Sequence, residues 1–118
     1  MEIMERGFGK MTIGGATRGF HLGTYQSKVY CTTAGIELDQ YFEELNKFTF
    51  QNSLQNNVIF CTLLYSALAA YCKFQKQPVD FDVDEVTFWA DAADKNELAK
   101  LLLTMRLMQE HEPKKSDA

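Results

Sequence analysis

Two histidines, three cysteines and a run of carboxylates are the side chains of this 118-residue chain best equipped to do chemistry. A structural zinc site needs His and Cys ligands in closely spaced pairs. His21, His111, Cys31, Cys61 and Cys72 contain no Cys-x-x-Cys or His-x-x-x-His pair, so no metal is expected. Asp80, Asp82, Asp84 and Glu85 form an acidic cluster, but it lacks the glycine and distal glutamate of a calcium loop. Aspartate and glutamate also gather at helix starts, where they cap free N–H groups and oppose the helix dipole. A solvated helix entrance is the simpler reading. The glycines at 14, 15, 19 and 23 match neither nucleotide fingerprint, and no Gly-Lys-Ser/Thr triplet follows them. A nucleophilic site would need His21 on its strand to meet Cys31 on the next helix, with nothing to supply an acid or an oxyanion hole. No catalytic residue, cofactor or enzymatic activity is expected.

The totals narrow the class further. At 46% hydrophobic and 24% charged, the chain has the makings of a core and is not a disordered polyelectrolyte. Its net charge of −4, with no dense Lys/Arg cluster, makes nucleic acid a poor partner. Cys61 and Cys72 fall about three helical turns apart, too far to be bridged, so free thiols in a reducing cytoplasm are expected. The first ten residues mix charges and glycine without an apolar segment, so no secretory signal is seen. One domain is expected over residues 10–110, between a flexible N-terminus at 1–9 and a flexible tail at 111–118.

The elements that must carry these residues follow from their patterning. Residues 58–72 hold only two clearly polar side chains, Thr62 and Ser66, and read as a central helix. Leu54, Val58, Cys61, Tyr65, Leu68 and Cys72 form one helical stripe, and Phe60, Leu64, Ala67, Tyr71 and Phe74 a second beside it. Apolar on most of its circumference, this helix is expected to lie inside the fold. Its 15-residue run is shorter than the roughly 20 needed to span a bilayer, so no membrane is expected. Asn52 or Ser53 should cap its start, and Pro78 should stop it near Gln77.

Before it, Gly14-Gly15 between two short runs predicts a tight β-hairpin over 10–22, with Phe20 and Leu22 on one face and His21 on the other. Thr24 is a candidate cap for a helix ending at Gly35 with Val29 and Tyr30 inward. A short helix over 39–47 would turn Leu38, Tyr41, Phe42 and Leu45 inward. After the central helix, Asp82 with Glu85 and Asp94 with Glu97 have capping-box spacing and open two more helices. The fold expected is mainly α, a small domain of about five helices packed with an N-terminal β-hairpin. The last helix, over 95–109, has leucine and methionine on more than one face. Leu103 and Leu107, together with Phe88 on the preceding helix, are therefore the candidate partner-binding residues.

In this order, Met11-Thr12-Ile13-Gly14-Gly15, Arg18-Gly19-Phe20-His21-Leu22-Gly23, Ala34-Gly35-Ile36-Glu37-Leu38 and Tyr41-Phe42-Glu43-Glu44-Leu45 resemble the tail assembly chaperones of long-tailed bacteriophages, here of siphovirus type and prophage origin. The run Leu63-Leu64-Tyr65-Ser66-Ala67-Leu68 is similar to that family's central helix, and Asp82-Val83-Asp84-Glu85-Val86 to its next cap. The resemblance covers about residues 10–109 and lies in order and hydrophobicity, without a catalytic motif. It implies a non-enzymatic protein of the bacterial host cytoplasm that binds the tape measure protein and keeps its hydrophobic helices soluble during tail assembly. A small homo-oligomeric structural protein of the phage particle is the alternative, and self-association fits both. The family often appends a second domain by a translational frameshift, and Lys114-Lys115 could be encoded by the adenine run that such a shift needs.

Overall fold

The computed structural model describes residues 6–48 and 53–110, with side chains as far as 106. Asn52, Leu107, His111 and Lys114-Lys115, each singled out above, lie outside the described residues or, for Leu107, outside the described side chains. The order is β1 (Phe8–Ile13), β2 (Ala16–His21), α1 (Thr24–Ala34), a 3-10 turn (Leu38–Gln40), α2 (Tyr41–Asn46), α3 (Leu54–Phe74), α4 (Val83–Ala92) and α5 (Lys95–Glu110). The described residues are mostly helical, with five helices and one two-stranded antiparallel hairpin.

The hairpin closes where the glycines require it. Gly14 and Gly15 take φ of +62° and +78°, the left-handed pair of a two-residue turn, and the register runs from Ile13↔Ala16 to Phe8↔His21. Strand β1 begins at Phe8 rather than at residue 10, and Gly7 O accepts from Leu22 N at 2.9 Å beyond it. Met11, Ile13, Phe20 and Leu22 are buried, while His21 turns to the other face and stacks on Phe8 at 4.1 Å. A hairpin this small cannot stand alone. Here α3 packs against β2 and α5 against β1.

Helix α3 packs against β2, α1 and α4 and is most deeply buried along its middle turns, from Cys61 to Ala70. Ser53 Oγ accepts from Asn56 N at 3.1 Å, so the serine supplies the cap. Thr62 and Ser66 donate back to Val58 O and Leu63 O, which lets two hydroxyls sit in apolar surroundings. The helix is 21 residues long, six more than its apolar run, and is the one helix among the described residues long and apolar enough to cross a bilayer; 56% of its most apolar window is buried inside the fold. It stops at Phe74, three residues before the predicted end. Gln77 N reaches back to Cys72 O at 2.9 Å and Lys76 N to Lys73 O at 3.1 Å, a closing loop that puts Lys76 at φ +59°.

Other caps differ from the sequence reading in instructive ways. Gly23, not Thr24, is the N-cap of α1, and Gly35 closes that helix in the left-handed conformation as expected. Asp82 and Glu85 form the full capping box, with bonds of 2.8 and 3.1 Å. At α5 the second box does not form, although Asp94 still caps the helix. Asp94 Oδ1 accepts from Asn96 N, whereas the Glu97 carboxylate accepts from Thr12 N at 2.7 Å and from Lys100 Nζ. A stronger use for Glu97 exists, because Thr12 offers an edge-strand N–H that nothing else pairs. The expectation for 39–47 is corrected too: Tyr41 is buried, but Leu38 and Phe42 are exposed because the segment is a 3-10 turn followed by a short helix.

A polar cluster holds α1, α2 and α3 together. The Gln26 amide, 1% exposed, donates to Tyr41 Oη at 3.1 Å and to Ser66 Oγ at 2.9 Å. Tyr30, edge-on to Tyr41 at 5.4 Å, donates its hydroxyl to Glu44. At the other end, Arg18 ties the hairpin to α4, donating to Ile13 O and Gly14 O while its guanidinium lies 4.3 Å from the Trp89 ring centre.

Candidate functional site

The described residues with chemical potential are dispersed. His21 is stacked on Phe8 at the open end of the hairpin, while the Cys31 thiol donates to Glu37 O at 3.6 Å at the end of α1. Burial, and then the carboxylates of Glu37 and Glu44, push the Cys31 thiol up. Burial likewise raises Cys61, where Asp91 adds to the effect, and Cys72, where Asp80 does. A nucleophilic cysteine needs the opposite shift. All three are free thiols. Asp82 and Glu85 are committed to the cap of α4, with Asp80 and Asp84 in solvent beside it. Among the described residues no group of three or more His, Cys, Asp or Glu side chains could hold a metal ion. Gly14 serves the turn, and a Cβ there would come within 2.6 Å of the Trp89 ring.

What the surface does present is apolar. On α4, Val86 and Ala90 face the core, which turns Phe88 outward at 74% exposure. Phe88 and Trp89 border a shallow hollow of about 320 Å³ beside the hairpin turn. On α5, Leu101 is buried against the hairpin and Leu98 and Met105 pack at its margin, so Leu103 points away at 57% exposure. Phe88 and Leu103 are thus exposed, as the candidate partner-binding residues would have to be, but Leu103 does not border the hollow that Phe88 borders.

The most exposed large apolar side chain among the described residues is one the sequence assigned to the interior. Leu54 is 83% exposed and Val58 64%, although both lie on the stripe whose later members are buried (Cys61, Leu68) or half-buried (Tyr65, Cys72). The first turns of α3 overhang the helices that cover the rest of it. Beside them opens a groove of about 550 Å³ between α3, α4 and the end of α1. Nothing local in the sequence marks this, because Leu54 and Val58 have the same character and spacing as the enclosed positions. Of the groove's carboxylates, Glu44, Asp84 and Asp91, only Asp84 stands out in the sequence, as part of a solvated helix entrance. The arrangement can hold an apolar partner and offers no group poised to react with one. Comparison with protein-family models, with curated proteins and with solved structures yields no match, so the function must be argued from the chain's own residues and surface.

Proposed function

We propose that this protein is a phage tail assembly chaperone, which binds the tape measure protein in the bacterial cytoplasm and keeps its apolar helices from associating before the tail is built. The observation that carries this reading is the exposed apolar surface of Leu54, Val58, Phe88 and Leu103 on a small domain with a well-filled core. Isolated exposed apolar residues are ordinary, and it is the pairing of two on one helical stripe beside a groove that supports reading this as a binding surface. The ordered resemblance to tail assembly chaperones supports the same reading, as does an acidic chain in which His21 is stacked on Phe8 and the Cys31 thiol donates to Glu37 O.

An affinity-tagged chain expressed during phage induction should recover the tape measure protein from the lysate and be missing from purified particles. Recovery of this chain alone, together with its presence in particles, would favour the structural-protein alternative, for which the same apolar surface would be a contact between copies.

A further inference from the structure

The groove beside the first turns of α3 has an apolar floor and a rim of one sign of charge. Buried Ile59 and Cys61 lie at its floor, with the exposed Leu54 and Val58 and the half-buried Val83 at its sides. Glu44, Asp84 and Asp91 are its carboxylates; among the described residues no lysine or arginine lines it. Lys47 pairs with Glu44 at 3.6 Å, whereas no ion pair among the described residues engages Asp84 or Asp91. These two aspartates sit seven positions apart on α4, on the same side of the helix, facing the overhanging end of α3. The apolar stripe of α3 continues from Cys61, which α4 covers, to Val58 and Leu54, which nothing among the described residues covers. From Leu54 to Cys61 the helix rises about 10 Å, two turns of a docked helix.

We propose that this groove seats an amphipathic helix of a partner protein, its apolar stripe bordered by lysine or arginine. The inference deepens the chaperone reading, resting on it for the partner's identity but not for the chemistry of the seat. An apolar ridge laid on Leu54 and Val58 extends the packing that α4 begins at Cys61, and flanking cations meet the carboxylates of α4. Neutral or acidic helices gain the first contribution without the second, so charge selects among otherwise similar helices.

The probe is a synthetic helical peptide with leucines at i, i+3, i+4 and i+7 and flanking lysines, compared with a counterpart carrying glutamates in their place. Fluorescence anisotropy at low salt should show the lysine peptide bound about tenfold more tightly, a factor equivalent to about 1.4 kcal/mol, with the preference shrinking as salt is added. Asp84→Lys/Asp91→Lys should invert the preference. Asp91→Lys alone, near the C-terminus of α4 where a cation suits the helix dipole, should weaken it. Leu54→Ser/Val58→Ser should lose both peptides while keeping the wild-type helical signal, since both residues lie in solvent. Equal affinity for the two peptides, an unchanged preference in the lysine variants, or undiminished binding by the serine variant overturns the proposal. So does a dimer in sedimentation that disappears in the serine variant, because the groove would then belong to a second copy. Peptide binding as expected, with the tape measure protein left insoluble, would sink the chaperone reading and leave the groove standing; the reverse result would do the opposite.

Discussion

Gln26 offers the sharpest test of how the helices are joined. Its amide is enclosed between Tyr41 Oη at 3.1 Å and Ser66 Oγ at 2.9 Å. Tyr41→Phe would leave a buried Gln26 N–H without an acceptor, which costs about 1–2 kcal/mol. Gln26→Leu keeps much of the volume but removes the acceptor of Gly23 N and one partner of the Tyr41 hydroxyl, leaving it Ser27, at about 2 kcal/mol. Ser66 suffers less in that variant, because it still donates to Leu63 O at 2.7 Å. The double variant sets Leu against Phe and strands neither group, so its cost should be about 2 kcal/mol rather than the 3–4 kcal/mol of the summed singles. Urea denaturation followed by circular dichroism gives the cycle, and its coupling should be about 1–2 kcal/mol with an unchanged denaturant slope. Additivity within about 0.3 kcal/mol would refute the claim that these two residues satisfy one another.

Leu64 is fully buried on α3 and Leu103 is exposed on α5, so Leu64→Ala should cost about 3–4 kcal/mol and Leu103→Ala less than about 0.5 kcal/mol. Equal urea midpoints would contradict the division between core and surface. Lys76 is exposed and sits at φ +59°, so Lys76→Gly should stabilise the domain by about 0.5–1 kcal/mol through relief of a left-handed lysine, and a lower urea midpoint would count against that account of the α3 terminus. The Glu97 carboxyl is held below its ordinary value first by the Thr12 N–H and then by Lys100. A depressed folded-state pKa contributes stability that is present above the unfolded value and lost as pH falls through the folded one. The gap in urea midpoint between wild type and Glu97→Gln should therefore be widest near neutrality and close in acid; a gap independent of pH would show that the carboxylate charge is irrelevant there.

Much of this architecture was written in short-range signals. Gly14-Gly15 demanded a turn, Gly35 a left-handed stop, and Asp82 with Glu85 a capped helix start, each because only a few backbone conformations suit those residues locally. Features that depend on what lies opposite a residue were not legible. Gln26 reads as a surface position of α1, and its burial follows from Tyr41 and Ser66 arriving from elsewhere in the chain. Glu97 has the spacing of a capping box, yet an edge-strand N–H brought close by folding takes its carboxylate. Phe42, Leu54 and Val58 have the composition of core positions and lie in solvent, because apolar patterning shows which face a helix could bury and not how far its neighbours extend. Phe88 and Leu103 were found from surplus: each of their helices carries more apolar residues than one buried face can absorb.

The central claim is that the apolar surface of this chain exists to cover a larger partner. Its most direct test is the soluble fraction of the tape measure protein, expressed in bacteria with and without this chain and followed by size-exclusion chromatography. The account predicts a largely insoluble tape measure protein alone and a soluble complex of the two on co-expression; equal solubility in both cases, with no co-eluting complex, would contradict it.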